Sequence, residues 1–162
     1  MTLTAIAWLF TLGVLVHNAE EAIYLPAWSR RAGRWHVPVG SKEFRFAVVV
    51  LSVALVCITA AASLAEPRSP AAYLLAGYVF AMVLNVVVPH CIATVALRKY
   101  MPGTATALLF NFPLGCLFLA RALSEDFIQL KVLVWSAPLV ALGIVASIPI
   151  LFAVGRRADV ER

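Results

Sequence analysis

The sequence predicts an all-α fold: an integral membrane bundle of five transmembrane helices, forming a single membrane-embedded domain over residues 1–162. Three observations lead there. Hydrophobic residues make up 63% of the chain. Charged residues make up 13%, about half the roughly 25% usual in soluble domains. The apolar residues also gather into five runs of about 20, the length a helix needs to cross hydrocarbon. The connections between runs are short, so no soluble domain fits between them. No repeat, low-complexity tract or linker divides the chain.

The first run, Leu3 to Leu25, lacks a basic leading region and an A-x-A-like cleavage site, so it reads as a retained helix and not a signal peptide. It finishes in an unusual polar group, His17, Glu20 and Glu21. The loop "AWSRRAGRWHVPVGS" follows, with Trp28 and Trp35 set among Arg30, Arg31 and Arg34. Tryptophan at headgroup level and arginine toward anionic lipid make this an interfacial segment. His36 is a weaker candidate, a ligand only if this loop closes over the polar group as a lid.

Glu43 opens the second run, Phe46 to Ala65. The third, Ala71 to Leu97, carries Asn85, Pro89 and His90 in "LNVVVPHCIA". The turn "KYMPGT" puts Pro102 before Gly103, the order of a type II turn with glycine at positive φ, and Tyr100 stands within reach of the polar group. The fourth run, Thr104 to Ala120, carries Asn111 and Pro113, and the fifth, Val132 to Val154, offers almost nothing polar. Cys57, Cys91 and Cys116 fall in apolar runs at spacings that match no zinc or redox motif, and read as small buried hydrophobes.

Lysine and arginine fix the expected orientation. Arg30, Arg31, Arg34, Lys42 and Arg45 follow the first helix, Arg98 and Lys99 follow the third, and Arg156, Arg157 and Arg162 form the tail. Short cytoplasmic loops carry the basic excess, so the N-terminus is expected outside and the C-terminus in the cytoplasm. The net charge of +5 suits an anionic leaflet. Nothing suggests a nucleic-acid groove, because no basic helix is interleaved with stacking aromatics. The expected partners are membrane lipids and an apolar small-molecule substrate.

At about 100° per residue, Glu20 lies about 60° to one side of His17 and Glu21 about 40° to the other, so one helical face offers all three. Counting from the basic ends, four helices direct His17, Glu20, Glu21, Glu43, Asn85, His90 and Asn111 to the cytoplasmic half of the bilayer. Pro89 has no N–H, which frees the carbonyl of Asn85 and kinks the helix, and Pro113 likewise frees that of Leu109. Asn85 and His90 stand about 140° apart on an ideal helix and converge only where it is locally unwound. An ionisable residue at mid-membrane costs about 2.5–3.5 kcal/mol, so such a group is a functional candidate by default. The plainer alternative makes His17, Glu20 and Glu21 the interfacial end of helix 1, bonded to Arg30 or Arg45. It accounts for neither His90 nor Asn85.

Three functional readings follow. In the first, His17, Glu20, Glu21, Glu43 and His90 bind a transition metal (zinc, iron or manganese) and Glu20, Glu21, Asn85, Asn111 and Tyr100 serve catalysis. That would be a metal-dependent hydrolase or oxidoreductase acting on a lipid-soluble or interfacial substrate. In the second, the same carboxyls perform metal-free acid–base isomerisation or cyclisation of an apolar lipid, with Trp8, Phe110 and Phe112 cradling a developing cation. The third is an ion or proton transport module. Five helices without an inverted repeat argue against a familiar transporter, although a homodimer would supply symmetry.

The motifs "HNAEE" from His17 to Glu21, "LPAWSRRAGRWHVPVGSKEFRFA" with Glu43, "NVVVPH" from Asn85 to His90 and "YMPG" from Tyr100 to Gly103 resemble the family of bacterial membrane proteins named for its H-x-x-E-E motif. The match runs in family order from helix 1 through helix 4. The resemblance implies a small multi-helix protein of the bacterial inner membrane with metal-binding or enzymatic activity, and names no substrate.

Overall fold

Thr2 accepts a hydrogen bond from the Ala5 amide at 3.2 Å and starts a helix that runs unbroken from Leu3 to Ser29. The computed structural model describes residues 1–33 and 37–157, and its described elements are helical throughout. Five helices are long and apolar enough to cross a membrane, the arrangement of a multi-pass membrane protein: α1 (Leu3–Ser29), α2 (Ser41–Leu64), α3 (Pro70–Leu97), α4 (Thr104–Ser124) and α5 (Leu130–Arg157).

Helix α1 extends past the expected stop at Leu25 because Pro26 costs it only one backbone bond. The carbonyl Pro26 leaves unpaired, that of Ala22, accepts from the Arg45 guanidinium at 3.0 Å instead. His17 therefore lies about 18 Å from the end of the helix at ~1.5 Å per residue, deeper than the sequence indicates. Ser29 then pins the returning loop, donating to the Pro26 carbonyl at 3.0 Å and accepting from the Val39 amide at 3.1 Å. At the opposite face of the bundle, Ser69 caps α3 by accepting from Ala72, and Pro70 occupies the first turn, where a missing N–H is harmless.

The helices pack as a ring in the order α1, α2, α5, α3, α4, with α4 returning to α1 and a further contact between α2 and α3. Ile6, Phe10, Val14, Leu55, Leu75, Val79 and Phe118 fill the interior. Hydrogen bonds replace packing where side chains are polar: Thr11 meets Thr59 at 2.7 Å, and the Asn18 amide donates to Ser52 at 2.9 Å, both joining α1 to α2. The Tyr78 hydroxyl donates to the Leu51 carbonyl at 3.1 Å, joining α3 to α2.

Helix α5 is peripheral, turning Val134, Trp135, Leu139 and Leu142 outward. Cys57 and Cys116 also face outward and Cys91 is half-buried, so they are not the buried hydrophobes the sequence predicts. An apolar run gives no sign of which face meets lipid and which meets protein, since both environments favour the same side chains.

Candidate metal centre

The two segments that carry His90 and Asn111 are not regular α-helix. Val86–Cys91 is kinked, with Val88 at φ −124°, ψ 113° outside helical geometry, and Ala107–Asn111 widens into a π-helical turn. Pro89 and Pro113 withhold the bonds a regular helix would need there. The unwinding turns both Asn85 and His90 toward α1, which an ideal helix cannot do.

The convergence is close. His17 and His90 are both 0% exposed and their rings meet edge to face with centroids 4.9 Å apart. The Glu21 carboxylate lies between them, Oε2 at 3.7 Å from His17 Nε2 and Oε1 at 3.3 Å from His90 Nε2. One donor atom from each of the three residues lies within 4.8 Å of the others. Ligands about 2.0–2.1 Å from a tetrahedral ion stand roughly 3.4 Å apart, so the two separations from Glu21 suit a small first-row cation.

The tautomer of His17 is set by its neighbours. Its Nδ1 faces the Gly103 carbonyl at 3.1 Å, which can only accept, so Nδ1 carries the proton and Nε2 keeps its lone pair directed at the centre. Both nitrogens of His90 are buried with no hydrogen-bond partner. An unsatisfied buried polar atom costs about 1–3 kcal/mol, and an ion bound through His90 Nε2 would relieve one of the two.

Glu20 supports this geometry from behind. Its carboxylate accepts from the Tyr100 hydroxyl and, at 2.7 Å, from the Thr106 hydroxyl, and Thr106 in turn lies 3.3 Å from His17 Nδ1. Glu20 thus stands outside the three convergent residues, as part of the shell that orients His17. Burial, reinforced by the bond to Glu20, raises the Tyr100 hydroxyl above the usual phenol range. The contribution of that raised group to stability is complete below pH ~10 and is lost as pH climbs through the folded-state value.

The Pro102-Gly103 turn is of type II: Gly103 has φ +92°, ψ −19° and the Thr104 amide bonds to the Met101 carbonyl at 3.1 Å. Thr94 holds the turn in place, bonding the Thr104 hydroxyl at 3.0 Å and the Met101 amide at 3.2 Å. A Cβ on Gly103 would fall 2.7 Å from His90 Cε1 and 2.8 Å from His17 Cε1. Sequence reasoning did not single out Gly103 or Thr106 as site residues. The "YMPG" motif carried a signal for the first, and nothing did for the second.

The remaining candidates separate. Asn85 Nδ2 reaches to 3.5 Å from His17 Nε2 and joins the site. Asn111 is buried with its amide unpartnered beside Gly13, one turn before His17 on α1. Glu43 is not among the three convergent residues; its carboxylate folds back to accept from the Gly40 amide at 3.1 Å and caps α2. Arg45 serves the Ala22 carbonyl, and among the described residues no ion pair joins Arg30 or Arg45 to Glu20 or Glu21, whose partners are Tyr100 and Thr106 for the first and the two histidines for the second. His36, with Arg34 and Trp35, lies outside the described residues. We expect Glu43→Ala to weaken the fold by about 1 kcal/mol, as loss of a helix cap does, with metal content at the wild-type level. Metal loss in that variant would place Glu43 among the ligands.

An apolar cleft of about 250 Å³ opens beside this group, between α2, α3 and α5, with His17, Glu21 and Asn85 at its inner wall. The family described as "Protein of unknown function with HXXEE motif" matches residues 8–118, and the chain belongs to it. His17, Glu20 and Glu21 supply that motif. The chain is 40% identical over 151 residues to a protein of Bacillus subtilis (strain 168) named "Uncharacterized protein YrkK", covering 93% of this chain and 95% of that relative. No solved structure matches this chain.

Proposed function

We propose that this member of the HXXEE family is a membrane-embedded metalloenzyme, in which His17, Glu21 and His90 hold one divalent first-row ion, zinc, iron or manganese. The observation that carries the reading is the buried pair of imidazoles flanking Glu21, one with its lone pair fixed on the centre and the other with no hydrogen-bond partner at either nitrogen. A bound ion would supply a Lewis acid able to polarise a substrate oxygen or acidify a water molecule, the chemistry of hydrolysis, or an electron-transfer centre for oxidation.

The chain's own residues do the rest. Gly103 holds His17 in one tautomer, Glu20 orients Thr106 against the same ring, and Asn85 presents an amide donor beside the centre. The apolar walls of the adjoining cleft favour an apolar small-molecule substrate drawn from the lipid. With no ion bound, the same constellation supports acid–base chemistry by Glu21 between two imidazoles, the reading to adopt if no metal is found.

The basic residues of the α1–α2 and α3–α4 connections support a cytoplasmic-membrane location with the N-terminus outside and the C-terminus inside. Reporter fusions in the α1–α2 connection and at the C-terminus should both report the cytoplasm, and a periplasmic signal from either reverses the orientation. The metal reading is tested by thermal unfolding of chelator-treated protein in nanodiscs. Adding one of the three ions at about 100 times its Kd should stabilise the fold by about 2.7 kcal/mol. No shift with any of the three, up to millimolar ion, contradicts it.

A further inference from the structure

The cleft beside the centre has a polar end and an apolar body, and most of its polar groups are already engaged. Tyr78 is bonded to the Leu51 carbonyl, Asn18 to Ser52, and His17 Nδ1 to Gly103. What remains to face a ligand is the Glu21 carboxylate, which stands 3.3 Å from His90 and 3.7 Å from His17 yet has further lone pairs to accept with, and the Asn85 amide, whose Nδ2 has only the long 3.5 Å contact to His17. Leu84, Val88 and Val145 line the cleft and are themselves exposed, so it opens sideways, which in a bilayer means to hydrocarbon. Phe44 and Phe152 meet edge to face, with centroids 6.2 Å apart, at its end toward the basic loops. A ligand therefore enters from the lipid. Along α3 the cleft extends from Tyr78 to Val88, about 15 Å at ~1.5 Å per residue.

We propose that this cleft binds a single-chain lipid alcohol, its hydroxyl set between Glu21 and Asn85 and its alkyl chain lying between α2 and α5 toward Tyr78. The volume, about 250 Å³, falls below the roughly 300–1,000 Å³ of pockets for drug-sized molecules and suits a chain over a fused ring system. A hydroxyl both donates and accepts, so it satisfies the carboxylate and the amide together. In the ion-free site a fatty-acid carboxylate would meet Glu21 as a like charge, and an ammonium head would bring a charge into the bilayer interior. A bare hydrocarbon would leave the Asn85 amide with no partner better than its long contact to His17. The inference deepens the enzymatic reading by naming its substrate class, but binding as described uses Glu21, Asn85 and the cleft walls and needs no ion.

The test is photolabelling of the chelator-treated full chain in nanodiscs with hexadecanol carrying a mid-chain diazirine, the labelled residues being mapped by mass spectrometry. Label should concentrate on cleft residues such as Leu51 and Ile144, and unlabelled hexadecanol should compete about tenfold better than palmitic acid or hexadecane. Ala81→Phe, which fills the cleft, should remove most of that label. Val145→Trp at the exposed lip, where bulk does not disturb packing, should do the same. Metal content and melting temperature of both variants are measured alongside. Label spread over outward faces such as Leu12 and Leu139, label unchanged in Val145→Trp, or palmitic acid competing as well as the alcohol overturns the proposal. Cleft labelling in protein shown to bind no metal upholds the proposal and removes the metal reading.

Discussion

Gly103→Ala should destabilise the protein by roughly 2–5 kcal/mol and abolish metal binding together. Two costs add. Any residue with a Cβ is strained at φ +92°, by about 1–2 kcal/mol. The added methyl would then sit under 3 Å from the rings of both His17 and His90 and against Glu21 Cγ, which overpacks a buried site by about 1–3 kcal/mol. The rings can relieve the contact only by leaving the geometry that brings their nitrogens together. Thermal unfolding and metal content of the one variant read both effects. A Gly103→Ala protein that holds metal as wild type does would show that the turn is not packed against the centre.

His17→Ala and His90→Ala should each remove the bound ion and with it the stabilisation an ion confers. At an ion concentration 100 times Kd that stabilisation is about 2.7 kcal/mol, or roughly 5–10 °C in melting temperature for a chain of this size. The variants should therefore melt at the same temperature with and without added metal. Glu20→Gln should behave differently: with the ligand set intact and only the orienting shell altered, affinity should fall about 10–100-fold while stoichiometry at saturation is kept. A Glu20→Gln protein that cannot be saturated would move Glu20 from the shell into the ligand set.

The helices were legible in the sequence because hydropathy over about 20 residues is a long, redundant signal, and the Pro102-Gly103 turn because its geometry requires glycine. His17 and Glu21, four residues apart, could be placed on one face from spacing alone. Spacing could not separate Glu20 from Glu21, since both lie within about 60° of His17. What decides is the neighbour each meets: α4 offers Thr106 and the preceding turn Tyr100 to Glu20, whereas α3 offers His90 to Glu21. Glu43 illustrates the same limit. Its position three residues after Gly40 also fits a helix cap, and only the folded chain shows that the carboxylate turns back to the Gly40 amide. The end of α1 was hidden because Pro26 reads as a breaker unless Arg45, nearly twenty residues on, is known to take up the freed Ala22 carbonyl.

Most direct of all is elemental analysis of the wild-type protein, purified without chelator and compared with His90→Ala prepared in parallel. Glu21 and the two buried histidines, His17 and His90, should retain about one zinc, iron or manganese per wild-type chain, and the variant should retain none. Wild-type protein that carries no stoichiometric ion and takes up none of the three on addition would contradict the metal centre and leave Glu21 and its two histidines as an acid–base site.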